Sequence, residues 1–476
     1  MNTSLSFMGR APRTAWLLPL VAALLLAGCA STASIAPRTE APARFKEAPT
    51  SPVATPAVAT ASVRVAGDWW RAFADPALDT LVERAATRNT DVRQAAARLA
   101  EARAIARTVD AARAVQVGVG TGVNRAAGVG RTIDTRPATV LNAGANVSYE
   151  LDLFGRLAGA SNAAALDAAS REALLESARL VVQAEVAQRY LQLRATDAER
   201  DLVRETVAAY RDTLDLTERR ERAGDLAELD VARVQTELAA TESEALALDR
   251  QRALLEHALA VLVGDAASDF GLAAGEWTTA LPSIPAGVPS AVLARRPDVA
   301  AAQRTVMAAQ ARLGVAQTAW FPSIALTGAG GFASPELGDL FRWSARSWGI
   351  GALLSLPLLD GGRREAGVQT ASAQLDGALA DHRDRVLVAF REVEDELASL
   401  RLLDRQSAVQ ARAVTSARRA TALSDVRYRN GMVSQLDLLD ARRSELRNRR
   451  QALQVRSAQY QSTVGLIRAL GGGWSV

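Results

Sequence analysis

A chain of 476 residues can hold two or more ordinary domains, yet aromatic residues make up only 5% of it, few for a conventional mixed core. Ala, Leu, Arg, Glu and Gln recur throughout and favour helix. The formal charge of +4 falls to +2 without Arg10 and Arg13, and the other arginines are interleaved with Asp and Glu along helical stretches, a solvated-face pattern that argues against a nucleic-acid partner.

In chain order, the first element is a leader. Arg10 and Arg13 precede the apolar run Ala15 to Cys29, which is too short for a comfortable membrane span and has the flanks of a signal peptide. Its single cysteine, Cys29, follows Leu26-Ala27-Gly28 directly and excludes internal disulfides. Residues 30–66, rich in Pro, Ala and Thr, read as an extended tether.

A short helix is expected over about Arg88–Arg113. Two period-two stretches follow. Val115, Val117 and Val119 alternate with Gln116, Gly118 and Gly120. From Asn142 to Leu153 the odd positions, such as Val147, Tyr149 and Leu151, are apolar, and the even ones, such as Asn146, Ser148 and Glu150, are polar or small. From Ala160 to Ala223 there is neither Gly nor Pro, which predicts one helix of roughly 95 Å. A Gly-centred turn and a second helix, Asp225–Val263, come next. The two shorter helices together nearly equal the long one, so stacked end to end they can run alongside it.

This pattern then recurs 207 positions later across most of each half. Arg220, Arg222, Gly224, Leu229 and Asp230 return as Arg427, Arg429, Gly431, Leu436 and Asp437. Asp91-Val92 returns as Asp298-Val299, Gly155-Arg156 as Gly362-Arg363, and Glu185-Val186 as Glu392-Val393. The second half predicts helices at Arg295–Ala319, Val368–Asn430 and Met432–Ala469. Its strands lie around Pro322, Ile324 and Leu326 and over Ser347–Leu358, where Trp348, Ile350, Ala352, Leu354 and Leu356 share a face. The expected organisation is a signal peptide (1–28), a lipidated tether (29–66) and two repeats (67–270 and 274–476), joined through the Pro-containing stretch 278–289.

Four strands of about 10–12 residues with a dyad pattern suit a transmembrane barrel. A soluble sheet with one wet face gives the same alternation; the leader and the long helices favour the membrane. No apolar span of 20 residues follows the leader, and four strands are too few to close, so several copies must pool them: two give eight strands, three give twelve and a pore.

Together these stretches resemble the TolC-like outer membrane factors, in their NodT/OprM lipoprotein branch. The resemblance covers nearly the whole mature chain. It is carried by "WWRAFADPALDTLVERA" from Trp69, "YELDLFGRL" from Tyr149 and "LARRPDVAAAQ" from Leu293. "AQTAWFPSIALTG" from Ala316, "SLPLLDGGRREA" from Ser355, the stretch from Arg427 to Arg443 and "LIRALGGGW" near the end complete it. One departure is visible: Arg113-Ala114-Val115 stand where the second repeat has Trp320-Phe321-Pro322, so the first strand begins without a proline break.

The resemblance implies a mainly α fold with a transmembrane β-barrel. That is a homotrimer with a 12-stranded barrel, four strands per chain, above a long periplasmic α-helical barrel. The implied function is the outer membrane channel of a tripartite efflux system, fed by an inner membrane RND-type pump and a periplasmic adaptor (membrane fusion) protein. It implies that the signal peptide is cut before Cys29, which then carries S-diacylglycerol and N-acyl lipid and anchors the chain to the outer membrane; Ala30 favours that membrane. The tips Gly224, Asp225 and Leu226, with Gly431, Met432, Val433 and Ser434, are implied to dock the adaptor. Leu436, Asp440 and Arg443 match the family's gate. From spacing alone they share a helix face and read as an ordinary surface ion pair; the gate reading comes from the resemblance. Asp440 and Arg443 have no mates, since Arg233 and Thr236 occupy those positions.

An enzyme is disfavoured. His257 and His382 lie on predicted helices without metal-ligand spacing, and neither a phosphate loop nor a nucleophile motif occurs. No catalytic residue, metal or cofactor is expected beyond the covalent lipid. The competing readings are a type I secretion duct and a non-channel coiled-coil lipoprotein tethered to the membrane.

Overall fold

The computed structural model describes residues 42–48, 65–126, 137–285 and 289–474. Cys29, the leader, most of the tether and Arg131 in the first hairpin loop lie outside the described residues. The strand β1 (Val65–Ala66) and a 3-10 turn (Trp69–Phe73) are the first regular elements among the described residues. Helices α1 (Pro76–Arg88) and α2 (Thr90–Ala111), strands β2 (Gln116–Ala126) and β3 (Ala138–Leu151), and helices α3 (Arg156–Arg222) and α4 (Glu228–Val263) follow. The second half has α5 (Pro289–Arg295), α6 (Pro297–Thr318), β4 (Ser323–Ser334), β5 (Arg346–Ser355), α7 (Arg363–Arg429) and α8 (Gln435–Ala469), then β6 (Gly473–Trp474). No described helix is long and apolar enough to cross a membrane.

The repeat is exact to the residue at several ends. Helices α2 and α6 both hold 22 residues, and α3 and α7 both hold 67, each pair offset by the same 207 positions. The long helices start four to five residues earlier than their Gly-free cores suggest. Asp152 explains the first start: its carboxylate accepts from the N–H groups of Leu157 (3.2 Å) and Ala158 (2.7 Å), satisfying donors that a helix N-terminus leaves open. Helices α4 and α8 start three residues later than expected, at Glu228 and Gln435, because the turn itself occupies the interval.

One compact unit comprises 102–168 and 304–379 and contains the sheet. Its strands run β2-β3-β4-β5, all antiparallel. Strand β5 stops at Ser355, before Pro357, which lacks the N–H that a ladder needs. The other unit comprises 39–101, 169–303 and 380–476 and holds the larger hydrophobic core, in which Trp69, Phe73, Tyr190, Leu259 and Tyr460 are fully buried.

In this second unit the short helices abut end to end. The α4 C-terminus meets the start of α2, where Asn89 donates to the Leu262 carbonyl (2.9 Å). The α8 C-terminus meets the start of α6, where Arg296 donates to the Ala469 carbonyl (3.1 Å). Donor and acceptor positions are repeat mates, although the donor residue differs. Gly264 and Gly471, also mates, make the approach possible. A Cβ at Gly264 would lie 2.6 Å from the Arg88 carbonyl, one at Gly471 3.0 Å from that of Arg295, and both have positive φ.

Candidate functional site

Register sorts the sheet into two chemically distinct faces, because directly opposed residues share a face. Val117, Val147, Gly328 and Ile350 form one row, and Val119, Ala145, Gly330 and Trp348 the next; Tyr149, Leu326 and Ala352 continue the face. The opposite face carries Gln116, Ser148 and Thr327, then Gly118, Asn146, Ala329 and Gly349. Val140 and Leu353 are its two large apolar side chains among the described residues. The apolar face is uncovered: Val119 and Ile350 are each 84% exposed and Trp348 77%. Among the described residues, strands β2 and β5 have no partner on their outer sides, so two hydrogen-bonding edges are open.

Aromatic side chains bound this face at both ends. At the hairpin-loop end, Phe341 packs edge-on to Phe332 and Arg346 lies over the Trp343 ring at 4.7 Å. At the other end Phe154 stacks on Phe321 (4.7 Å between centroids) and Arg364 covers Trp320 at 4.5 Å. An apolar band between aromatic girdles is what a bilayer requires of a barrel wall.

In the other unit, the two Gly-centred turns are built alike. Asp225 N–H bonds the Arg220 carbonyl (2.9 Å) and Met432 N–H that of Arg427 (2.8 Å), with Gly224 at φ 82° and Gly431 at φ 70°. This is the Schellman stop, which requires a left-handed residue. The turns lie beside each other: Arg220 donates to the Arg429 carbonyl (3.3 Å) and covers the Tyr428 ring at 5.1 Å. Gly224, Asp225, Gly431 and Met432 are exposed, and Leu226 and Val433 partly so. Ser434 has a structural task. It forms a capping box with Asp437 at the start of α8, whereas its mate Ala227 gives α4 no side-chain cap.

Beyond the second turn, Leu436, Asp440 and Arg443 share an exposed face of α8, while Gln435, Leu438 and Leu439 point inward. Arg443 contacts Asp440 at 3.4 Å, but its closer partner is Glu237 on α4, which accepts from Nε at 2.7 Å and from a second guanidinium nitrogen. This double hydrogen bond holds the Glu237 carboxyl below its ordinary range, against the opposing effect of burial. One heptad on, Arg450 binds Glu244 of α4 and Glu199 of α3. A groove of about 710 Å³ lies between these two ion pairs, with Tyr210 in its wall. Arg442 is half-buried. It donates to the Ala209 carbonyl (2.9 Å) and Thr213 of α3 and to Asp425 of α7 (3.1 Å), joining three helices.

Sequence reasoning missed Glu237, Glu244, Arg442 and Arg450. The repeat mates of Glu237 and Arg443 are Ser444 and Thr236, so a search along the repeat offset passes over the pair. The heptad spacing shared by Glu237/Glu244 and Arg443/Arg450 is the signal that finds it. No group of His, Cys, Asp or Glu among the described residues is arranged to hold a metal.

The family model of outer membrane efflux proteins matches residues 81–265 and 288–472. The antibiotic efflux pump outer membrane protein ArpC of Pseudomonas putida is 33% identical over 462 residues, covering 95% of this chain and 94% of its own. The outer membrane protein OprJ of Pseudomonas aeruginosa is 33% identical over 328 residues, 68% of each chain. Among solved structures, the outer-membrane channel OprN superposes with a TM-score of 0.85 at 29% identity, over 94% of this chain and all of that one.

Proposed function

The chain belongs to the outer membrane efflux protein family, and on that premise we propose that it is the outer membrane channel of a tripartite efflux system, passively conducting what an inner membrane pump and a periplasmic adaptor deliver. The observation that carries this reading is the four-stranded sheet with one uncovered apolar face and two open edges. Lipid cannot satisfy unpaired backbone groups, so the edges must be paired by further copies. Joining β5 of one copy to β2 of the next in a ring of three gives 12 strands, and the Asn, Ser and Gly face then lines the lumen. The purified protein should run as a heat-modifiable trimer and conduct ions in planar bilayers; a monomer without conductance overturns the reading and favours a tethered scaffold.

Three site assignments complete the proposal. Cys29 carries the lipid anchor. Leu436, Asp440 and Arg443, with Glu237, form the constriction. The exposed turns at Gly224–Leu226 and Gly431–Ser434 dock the adaptor. Gly431→Val places a β-branched residue at φ 70°, a local cost of about 1–2 kcal/mol. Trimers should still assemble while export falls, and photocrosslinkers at Asp225 and Met432 should capture the adaptor. Capture from the β4–β5 loop at Glu336 alone contradicts the docking assignment.

A further inference from the structure

The stretch of sequence that reads as tether is seated, in part, on the folded body. Phe45 is only 2% exposed and packs with Val393, Leu397 and Leu466, its ring edge-on to Phe390 at 6.3 Å. The Glu394 carboxylate accepts from two successive backbone N–H groups, those of Lys46 (2.6 Å) and Glu47 (2.9 Å). Arg401 pairs with Glu47 at 2.6 Å. An aromatic anchor, a carboxylate gripping the backbone and an ion pair are the parts of a peptide-recognition site.

The repeat shows what this peptide replaces. Phe390 and Val393 on α7 are the mates of Gln183 and Val186 on α3. In the first half that helix surface is covered by the 3-10 turn, whose Trp69 indole donates to Gln183 (3.2 Å) and packs in the core with Val186. In the second half the mate of Trp69 is Glu276, not an aromatic residue, and the neighbouring Trp277, mate of Trp70, packs on Tyr460 at 5.0 Å and beneath Arg456. The same patch of the second long helix is thus left for another aromatic residue, and Phe45 fills it.

We propose that residues 42–48 are a latch. The chain's own N-terminal segment completes the core of the second half and fixes the lead between Cys29 and the folded body. Docked, the lead is about 16 residues, a reach of at most roughly 55 Å; released back to β1 it is about 36 residues and more than twice as long. The membrane side of this inference rests on lipidation of Cys29; the docking does not.

Lys46 is the only lysine in the chain, so endoproteinase Lys-C reads the latch at a single bond, Lys46–Glu47. Cleavage tracks the population of the open form. The intact channel in detergent should be cut at least about 100-fold more slowly than a synthetic peptide of residues 41–52. Phe45→Ala and Glu394→Ala should each speed cleavage at least about tenfold, with Glu394→Gln intermediate, while the trimer persists on native gels. Cleavage of the wild type at the peptide rate, or variants no faster than the wild type, overturns the latch. In cells fed an alkynyl fatty acid, the label should leave with the fragment ending at Lys46 and be missing from Cys29→Ala. Label on that variant removes the membrane lead, while the cleavage arm still decides the docking.

Discussion

Arg443→Ala should make the closed channel leak more than any other single change near the tips. Arg443 bridges α8 to α4 at the proposed constriction, with its own side chain 45% exposed and that of Glu237 16%. Its removal leaves a partly buried carboxylate without its hydrogen-bonded partner, at a cost of about 1–3 kcal/mol. If that link opposes splaying of the helices, the closed-to-open ratio falls between several-fold and about 100-fold. Single-channel recording in planar bilayers measures it directly. Asp440→Ala should leak less, because that carboxylate is 63% exposed and touches Arg443 only at 3.4 Å. Leu436→Ala should widen the apolar constriction to a similar, smaller degree. A trimeric Arg443→Ala channel that conducts like its parent removes these residues from the gate.

The same pair gives a pH dependence. The folded pKa of Glu237 is depressed, so the stabilisation is present above the ordinary carboxylate range and is lost as pH falls through the lowered folded value. Wild-type closure should therefore persist through mildly acidic conditions and loosen only below the usual carboxylate range. In Arg443→Ala the lowering contact is gone and burial remains, so Glu237 should titrate at higher pH and with the opposite sign, its protonation relieving an unpaired charge and favouring closure.

Ile350→Arg should nearly abolish assembly in the membrane. Ile350 stands in mid-strand on the apolar face, in one row with Val147 and Val117, and is almost wholly uncovered within one chain. If that face meets lipid, an arginine near the midplane costs about 2–4 kcal/mol per chain, and three chains carry it. Ser148→Arg, on the opposite face, should be tolerated and alter conductance instead. The yield of heat-modifiable trimer in outer membrane fractions distinguishes them. Equal loss in both variants indicates a sheet buried in protein on both sides.

Much of this is legible in the sequence. A constant offset survives only if each half folds alike, and the helices, both Gly-centred stops and the four strands follow from it with shifts of a few residues at their ends. Those shifts have local causes: Asp152 bonds that extend a helix start, and turns that consume the residues after Gly224 and Gly431. The site was legible only where it obeys the repeat or matches the family. The Arg443–Glu237 pair departs from the repeat by one position, and its strength depends on packing between helices far apart in sequence. The latch hid behind composition, since a Pro- and Ala-rich segment reads as tether and a lone Phe does not betray a partner more than 340 positions away. The girdle residues Phe332 and Phe341 lie in and beyond a Gly-rich strand whose alternation is weak.

The strand order β2-β3-β4-β5 also has an ancestral meaning. Within one chain, the junction of β3 with β4 joins a first-half hairpin to a second-half hairpin. Closing the proposed ring makes a junction of the same kind between β5 and the next copy's β2. Six hairpins then go round in near-sixfold symmetry, with covalent and non-covalent seams alternating. A ring of six identical half-length chains has the same layout, and gene fusion relaxes the requirement that all six be alike. Once relaxed, the halves can differ: Arg443 meets Glu237 while their repeat mates are Thr236 and Ser444, so the ion pair can occur at alternate seams only, which no six-fold assembly of equals allows.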